Sequence, residues 1–363
     1  MSLVELLVVV AILGMLAVTV LPNLSNTAEA RRSREAARMV SSFIAKAQSR
    51  ALGNPEWSGF MVVASSSTSF AAVDFALADV PPVYRGDMVP ALLTITGSVS
   101  PAVWRATGTQ SELVQSGSNG AAVQEYDLIR FDGRGPWYEI HRRTDTFVDF
   151  RIRGDLTGGA ATADMEMSGM NRSNTPWPPQ EARLAFEVLR QPVQAGSPLT
   201  LPDGRAIDLF WSGYGPPQAN SMAAYQQFTQ AGSRVSALFD GTGRLRRIFI
   251  TTPSAMNHRS VTGPVFLLVG RAERATGDVN APSALVANDD TTGANWQYPD
   301  SWWIAIDPMT GVAKSAECTF FGEDDNRNGV LDANEDRNGN GALDVDVIAS
   351  QRWIRSALLG SGR

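Results

Sequence analysis

The first 53 residues carry two hydrophobic patterns, one after the other. From Leu6 to Leu21 no residue is charged, and the apolar run approaches the roughly 20 residues that one bilayer crossing needs. From Thr27 to Leu52 the chain has no Gly or Pro, and apolar residues recur at helical spacing at Ala36, Val40, Phe43, Ile44, Ala47 and Ala51. The pattern predicts one helix over residues 1–53. Its first part is expected to span a membrane and its second part to bury one face before a stop at Gly53.

Glu5 stands out because a carboxylate inside an apolar helix costs about 2–3 kcal/mol and is usually paired or functional. The alternative is a residue near the end of an ordinary anchor, reaching water. No basic residue precedes Arg31, unlike the start of a secretory signal, so the chain is expected to have lost a leader. Gly14 and Pro22 are expected to interrupt the helix, because proline lacks an amide donor.

Glu5, the long apolar run and Pro22 together resemble the mature N-terminus of type IV pilins and type II secretion pseudopilins. The resemblance implies cleavage by a prepilin peptidase before Met1, N-terminal methylation and handling by an inner-membrane assembly machinery. It also implies that Glu5 pairs with the Met1 amine of a neighbouring copy. The family usually begins with Phe, where this chain has Met. The segment 35–52 is also similar to H-type pseudopilins and related minor pilins, and the main motif covers only the start of the chain.

After the helix the chain reads as mostly β. Two stretches place Asp-Gly-x-Gly between β-rich runs, at 127–142 and 235–250, and both predict hairpins. Further apolar runs predict strands, whereas residues 220–232 suggest a short helix. Whether the strands form one sheet or two stays open. The predicted fold class is therefore α+β: a pilin-like long N-terminal α-helix and a mostly antiparallel globular head over residues 54–363, with calcium loops near the C-terminus.

A calcium-binding loop is predicted at the C-terminal end. With Gly329 at its sixth place, the stretch fits the twelve-residue pattern D-x-[DN]-x-[DN]-G-x5-E. Such a loop suits calcium because alternate side chains supply the hard oxygens it needs and glycine permits the sharp turn. The predicted ligands are Asp324, Asn326, Asn328, the carbonyl of Val330, Asp332 and Glu335.

The pattern repeats twelve residues later, with Val347 where the glutamate belongs. The second set of predicted ligands is Asp336, Asn338, Asn340, the carbonyl of Ala342, Asp344 and, in place of the glutamate, Asp346. Both loops could instead be ordinary Asx- and Gly-rich surface turns. We interpret the predicted calcium as a structural ion that stabilises the C-terminal region. It would replace a disulfide there, because the single cysteine, Cys318, cannot form one within the chain.

Charge and motif content narrow the function. The net charge is −6, and residues 1–53 hold six Arg or Lys against three Glu, so the remainder carries about −9. An acidic head argues against nucleic-acid binding. The two histidines, His141 and His258, lack metal-ligand spacing, and no P-loop, G-x-S-x-G or zinc pattern appears. No enzyme activity is predicted.

Three functions fit these observations. The first is a structural subunit of an extracellular type IV pilus-like filament, a homo-oligomer built through residues 1–53 after residence in the cytoplasmic membrane. The second is a minor pseudopilin of a type II secretion system, in a periplasmic pseudopilus. The third is a membrane-anchored exoprotein with a pilin-like leader. Glu5 supports both filament functions and does not separate them, whereas the third function needs a catalytic or binding cleft that the sequence does not display.

Overall fold

The computed structural model describes a long helix followed by a chain of mostly antiparallel strands. The described residues are 3–53, 57–66, 69–87, 89–100, 103–108, 123–144, 146–152, 178, 182–215, 225–228, 232–251, 256–261, 263–275, 294–298, 300–319, 332, 334 and 347–360. Helix α1 comprises Leu3–Leu52, and two short helices lie near the C-terminus, α2 at Val347–Ser350 and α3 at Arg352–Leu359.

The strands form two sheets and a closed barrel. The first sheet has the order β10-β3-β1-β13-β14-β15, built from Val193–Thr200, Asp74–Asp79, Ser58–Val63, Arg234–Phe239, Leu245–Thr251 and Met256–Ser260. The second sheet has the order β12-β11-β16-β17-β18, with β2 also paired to β11; its members are Gln226–Gln227, Arg205–Tyr214, Val265–Arg271, Trp302–Ile306, Ala313–Glu317 and Ala71–Ala72.

The barrel has the order β4-β5-β8-β7-β6-β9, with every pair antiparallel. Its strands are Leu92–Ser100, Val103–Thr107, Phe147–Ile152, Arg134–Arg143, Leu128–Phe131 and Arg183–Leu189. The barrel is inserted between β3 and β10, which pair with each other in the first sheet. The chain therefore leaves the first sheet, closes a barrel with its own apolar core, and returns beside the strand it left.

The main core lies where α1 meets both sheets. One cluster joins the buried face of α1 to inward residues of the first sheet, such as Phe60 and Val235, and of the second, such as Leu267 and Ile304. The outer face of the second sheet has its own cluster, which includes Trp303 and Ile354 of α3. Alternating apolar residues along the strands supply these faces, because successive side chains of a strand point to opposite sides.

The predicted pilin-like α+β fold is wrong. The protein is mostly β, and its strands form two sheets and a closed barrel instead of the one globular head expected on a pilin-like helix. Local patterning could place strands, but it could not reveal barrel closure, which depends on pairings such as Leu92 with Ala185 that are distant in sequence.

Helix α1 also differs from the prediction at Gly14 and Pro22 and in its capacity to span a membrane. It continues through Gly14 and Pro22, which the sequence analysis expected to interrupt it. A proline removes one backbone hydrogen bond, and the turns on either side retain theirs. Searching the described part of the chain for a helix both long and apolar enough to cross a membrane finds none. This finding contradicts the prediction of a transmembrane helix. It also contradicts the description of the chain as a type IV pilin, which depended on that helix.

Several local predictions are confirmed. The two Asp-Gly hairpins are β6–β7 in the barrel and β13–β14 in the first sheet. The helix ends at Leu52, with a turn at Gly53. The predicted short helix over 220–232 is wrong where the structure describes it, because Gln226–Gln227 form strand β12 at the edge of the second sheet.

Candidate functional site

The C-terminal half of α1 is fixed to both sheets through an apolar stripe. The six stripe residues predicted from spacing are all buried: Ala36, Val40, Phe43, Ile44, Ala47 and Ala51. The Phe43 ring meets the Phe75 ring of β3 edge-on, with centroids 4.9 Å apart. The small alanines let the helix backbone approach the strands closely, while the larger side chains fill the space between the sheets.

Polar contacts lock the C-terminal end of α1. The Gln48 side-chain amide donates to the carbonyl of Gly243 at 3.0 Å and to that of Thr310 at 2.7 Å. Gly311, with φ of +70°, leaves no room for a Cβ there, because one would collide with the Gly243 carbonyl and with Gln48. One helix side chain thus joins the turn after β13 to the turn after β17.

A two-pronged ion pair fixes the last turn of the same helix. Arg50 donates from Nε and Nη2 to the two carboxylate oxygens of Asp79, at 3.0 and 2.6 Å. The hydrogen bonds from Arg50 lower the pKa of Asp79 below its usual range, with a further hydrogen bond from Ser58 acting the same way. Asp79 closes β3, so the helix end is tied to the point where the chain departs for the barrel.

An ionic cluster lies at the other end of the docked half. Arg205, at the start of β11, has a side chain only 1% exposed, and its Nη2 donates to the Glu29 carboxylate and, at 3.0 Å, to the Glu29 carbonyl. Arg271 donates to Asp300 at 3.1 Å, and Asp300 lies 3.9 Å from Arg205 Nη1. Burial lowers the pKa of Arg205, while Glu29 and Asp300 oppose that shift. A charge removed from water needs such partners, so Glu29 marks the point from which α1 is held.

The backbone of α1 begins well before Glu29. Among the side chains that the structure describes, the anchoring contacts come from residues 29–52. Leu3 lies 26 residues before Glu29, or about 40 Å at 1.5 Å per residue. Met15 lies within that stretch and is 76% exposed. Of the predicted assembly residues, Glu5, Gly14 and Pro22 lie in this helical stretch and Met1 lies outside the described residues.

The predicted calcium ligands lie almost entirely outside the described residues. Asp332 is the exception, and it is exposed. Among the residues that the structure describes, no group of three or more metal-ligating side chains occurs. Both calcium loops therefore stay a prediction, as does the expectation that the chain is not an enzyme. Cys318 is buried as a free thiol, and burial raises its pKa.

A polar cleft that the sequence does not signal lies where the barrel joins the first sheet. The cleft has a volume of about 320 Å³ and collects residues from four places in the chain: Pro81, Gln124, Asp127, Arg190, Gln191, Pro192, Val193, Gln194 and Arg234. Asp127 accepts from the backbone amides of Gln124 at 2.7 Å and Gln191 at 2.9 Å. No motif signals this site, because its members meet only when the chain returns from the barrel.

Asp127 supplies the carboxyl group of the cleft lining. It is 2% exposed, and burial raises its pKa to about 7, although the two amide hydrogen bonds and the nearby Arg190 charge act in the opposite direction. Burial has the complementary effect on Arg234, whose pKa it lowers. Both shifts have the same cause, since a dry environment disfavours the charged form of any group.

Comparison with known proteins supplies no family for this chain: no protein-family model matches it, and no similar protein was found among the curated proteins.

Proposed function

We propose that this protein is a structural subunit of an extracellular filament, joined to its neighbours through the N-terminal half of α1. The observation that carries the proposal is the division of this helix at Glu29. Residues 29–52 are held by the two sheets, and the helix then extends about 40 Å further. The extension carries the uncharged run 6–21, and we propose that this apolar run is the site of interaction, because large apolar patches mark interfaces.

The rigid mounting supports this role. The buried stripe, the Arg50–Asp79 pair and the Glu29–Arg205 pair fix α1 at both ends of its docked half. A helix held this way carries its N-terminal half in one direction, so ordering that half adds little to the entropy cost of binding. Equivalent helices from many copies can then pack side by side and cover one another.

Glu5 supplies the specificity in this proposal. Its carboxylate is costly in an apolar bundle unless a cation meets it. The resemblance to filament-forming secretion and pilus subunits makes that cation the Met1 amine of the next copy. The pairing then fixes the axial offset between neighbours, as one buried polar contact can set the register of packed helices.

A second candidate role is a low-copy subunit of a secretion machine. The size of the head favours it, because two sheets and an inserted barrel form a bulky body for a densely packed fibre. In that role the same α1 contact would join this chain to different, more abundant subunits. The two roles differ in copy number, not in the surface used.

The test replaces Glu5 with Ala and with Gln in the full chain, in cells able to assemble it. We expect Glu5→Ala to abolish incorporation into filaments and Glu5→Gln to reduce it strongly, because neither variant can form the ion pair. Glu35→Ala is the matched control, since Glu35 is an exposed glutamate on the docked half of the same helix. Normal filaments from Glu5→Ala would refute the proposed contact.

A further inference from the structure

The cleft between the barrel and the first sheet is lined by two arginines and one acidic residue. Arg190 follows β9 of the barrel, and Arg234 begins β13 of the first sheet. Neither guanidinium lies within 4 Å of a carboxylate oxygen of any described residue, unlike Arg205 or Arg50. Asp127, the acidic residue of the cleft, already accepts two backbone amides.

The hydrogen-bond acceptors that these arginines have among the described residues are neutral. Arg234 Nη2 makes one long hydrogen bond, 3.4 Å, to the side-chain oxygen of Gln191, and Arg190 Nη2 donates to the carbonyl of Pro82 at 2.9 Å. The Nε of Arg190 is buried without an acceptor. A guanidinium offers five donors, and partly buried donors without acceptors are costly. An incoming anion would satisfy the donors and offset the charge together.

The rest of the lining fits a small, polar ligand. Gln124, Gln191 and Gln194 line the cleft together with the arginines, and Pro81 and Pro192 are its apolar lining residues. The cleft has a volume of about 320 Å³. It lies at the lower end of the range for small-molecule sites, which also favour junctions between structural units.

We propose that this cleft binds a small organic acid, with its oxyanion between Arg190 and Arg234 and its hydroxyl groups against the glutamine amides. The arginine fork recognises planar carboxylates and phosphates equally well, so the shared chemistry is a compact oxyanion with polar substituents. The ligand bridges the barrel and the first sheet, because one arginine comes from each. The site is independent of the assembly proposed for α1.

The test is calorimetric titration of the full chain, kept in mild detergent, with three probes. Glucuronate represents a hydroxylated carboxylate, inorganic phosphate represents the phosphoryl group, and glucose is the neutral match for glucuronate. We expect glucuronate or phosphate to bind with a Kd near or below about 1 mM, and glucose to bind at least tenfold more weakly. Binding by phosphate and not glucuronate would support the oxyanion site and identify its ligand as phosphorylated.

Variants tie the binding to the cleft. Arg234→Gln should weaken anion binding at least tenfold. Arg190→Gln should have the same effect, and it serves as the test variant when Arg234→Gln does not fold. Arg244→Gln is the matched control, because Arg244 is exposed on the loop after β13 and outside the cleft. The proposal is overturned when neither anion binds at about 10 mM, when glucose binds as tightly as glucuronate, or when folded Arg234→Gln and Arg190→Gln keep wild-type affinity.

Discussion

Replacing Ile44 tests the mounting of α1 between the two sheets. Ile44 is fully buried at the centre of the stripe, in the cluster that both sheets share. Cutting a buried isoleucine to alanine removes three carbon atoms and leaves a cavity, which costs about 2–5 kcal/mol depending on how far the site can collapse. Sheets on two sides resist collapse, so we place the loss in the upper half of that range, at about 3–4 kcal/mol.

The assay is urea unfolding of the full chain in mild detergent, followed by tryptophan fluorescence and far-UV circular dichroism. Ile44→Val should lose about 1 kcal/mol, because it removes one methylene. Arg38→Ala is the control on the same helix, since Arg38 is exposed, and such surface changes usually stay within about 0.5 kcal/mol. Because the barrel has a separate core, any transition that belongs to the barrel alone should not shift.

The order of the three losses in unfolding free energy decides whether α1 lies between the two sheets. Burial predicts that Ile44→Ala loses most, Ile44→Val loses less and Arg38→Ala loses least. Equal losses for Ile44→Ala and Arg38→Ala would show that α1 does not lie between the sheets in solution. That result would also remove the fixed helix on which the filament proposal depends.

Two further predictions concern calcium and pH. Excess chelator should lower the melting temperature of the full chain, and Asp324→Ala should abolish that sensitivity, whereas an unchanged melting curve would contradict the calcium loops. The pKa of Asp127 is about 7 in the folded protein and about 4 in the unfolded chain. Between these two pH values only the folded state keeps the proton, so the free energy of unfolding falls as pH rises. Urea titrations from about pH 5 to 8 should show this fall, and Asp127→Asn should flatten it; an equal slope in the variant would contradict the assignment.

Local patterns predicted the parts of the fold that are determined locally. The α1 stripe follows from 3.6-residue spacing, and the hairpins at Asp132-Gly133 and after Asp240 follow from turn chemistry. Residues 220–232 show the limit of this approach. The run looks helical by composition, yet Gln226–Gln227 join the edge of the second sheet, because pairing with β11 outweighs weak local preference.

The remaining features depend on contacts between distant residues. Barrel closure needs β4 to pair with β9 across an intervening hairpin region, and no alternation pattern specifies which strands meet. The Glu29–Arg205 pair joins residues 176 apart, and the oxyanion cleft gathers side chains from 81 to 234. In the sequence Arg205, Arg190 and Arg234 are unremarkable strand-end arginines. Only the fold shows that the first is paired with a carboxylate, whereas the other two have no carboxylate oxygen within 4 Å among the described residues.

The central claim is that the N-terminal half of α1 joins copies of this chain into a filament. The most direct measurement is to shear surface filaments from the native cells, image them, and quantify this chain in them by mass spectrometry. The account predicts that this chain is the dominant protein of the fibres, with the N-terminal halves of α1 packed along the fibre axis. Fibres that contain none of this chain, or contain it attached through the barrel or the sheets, would contradict the account.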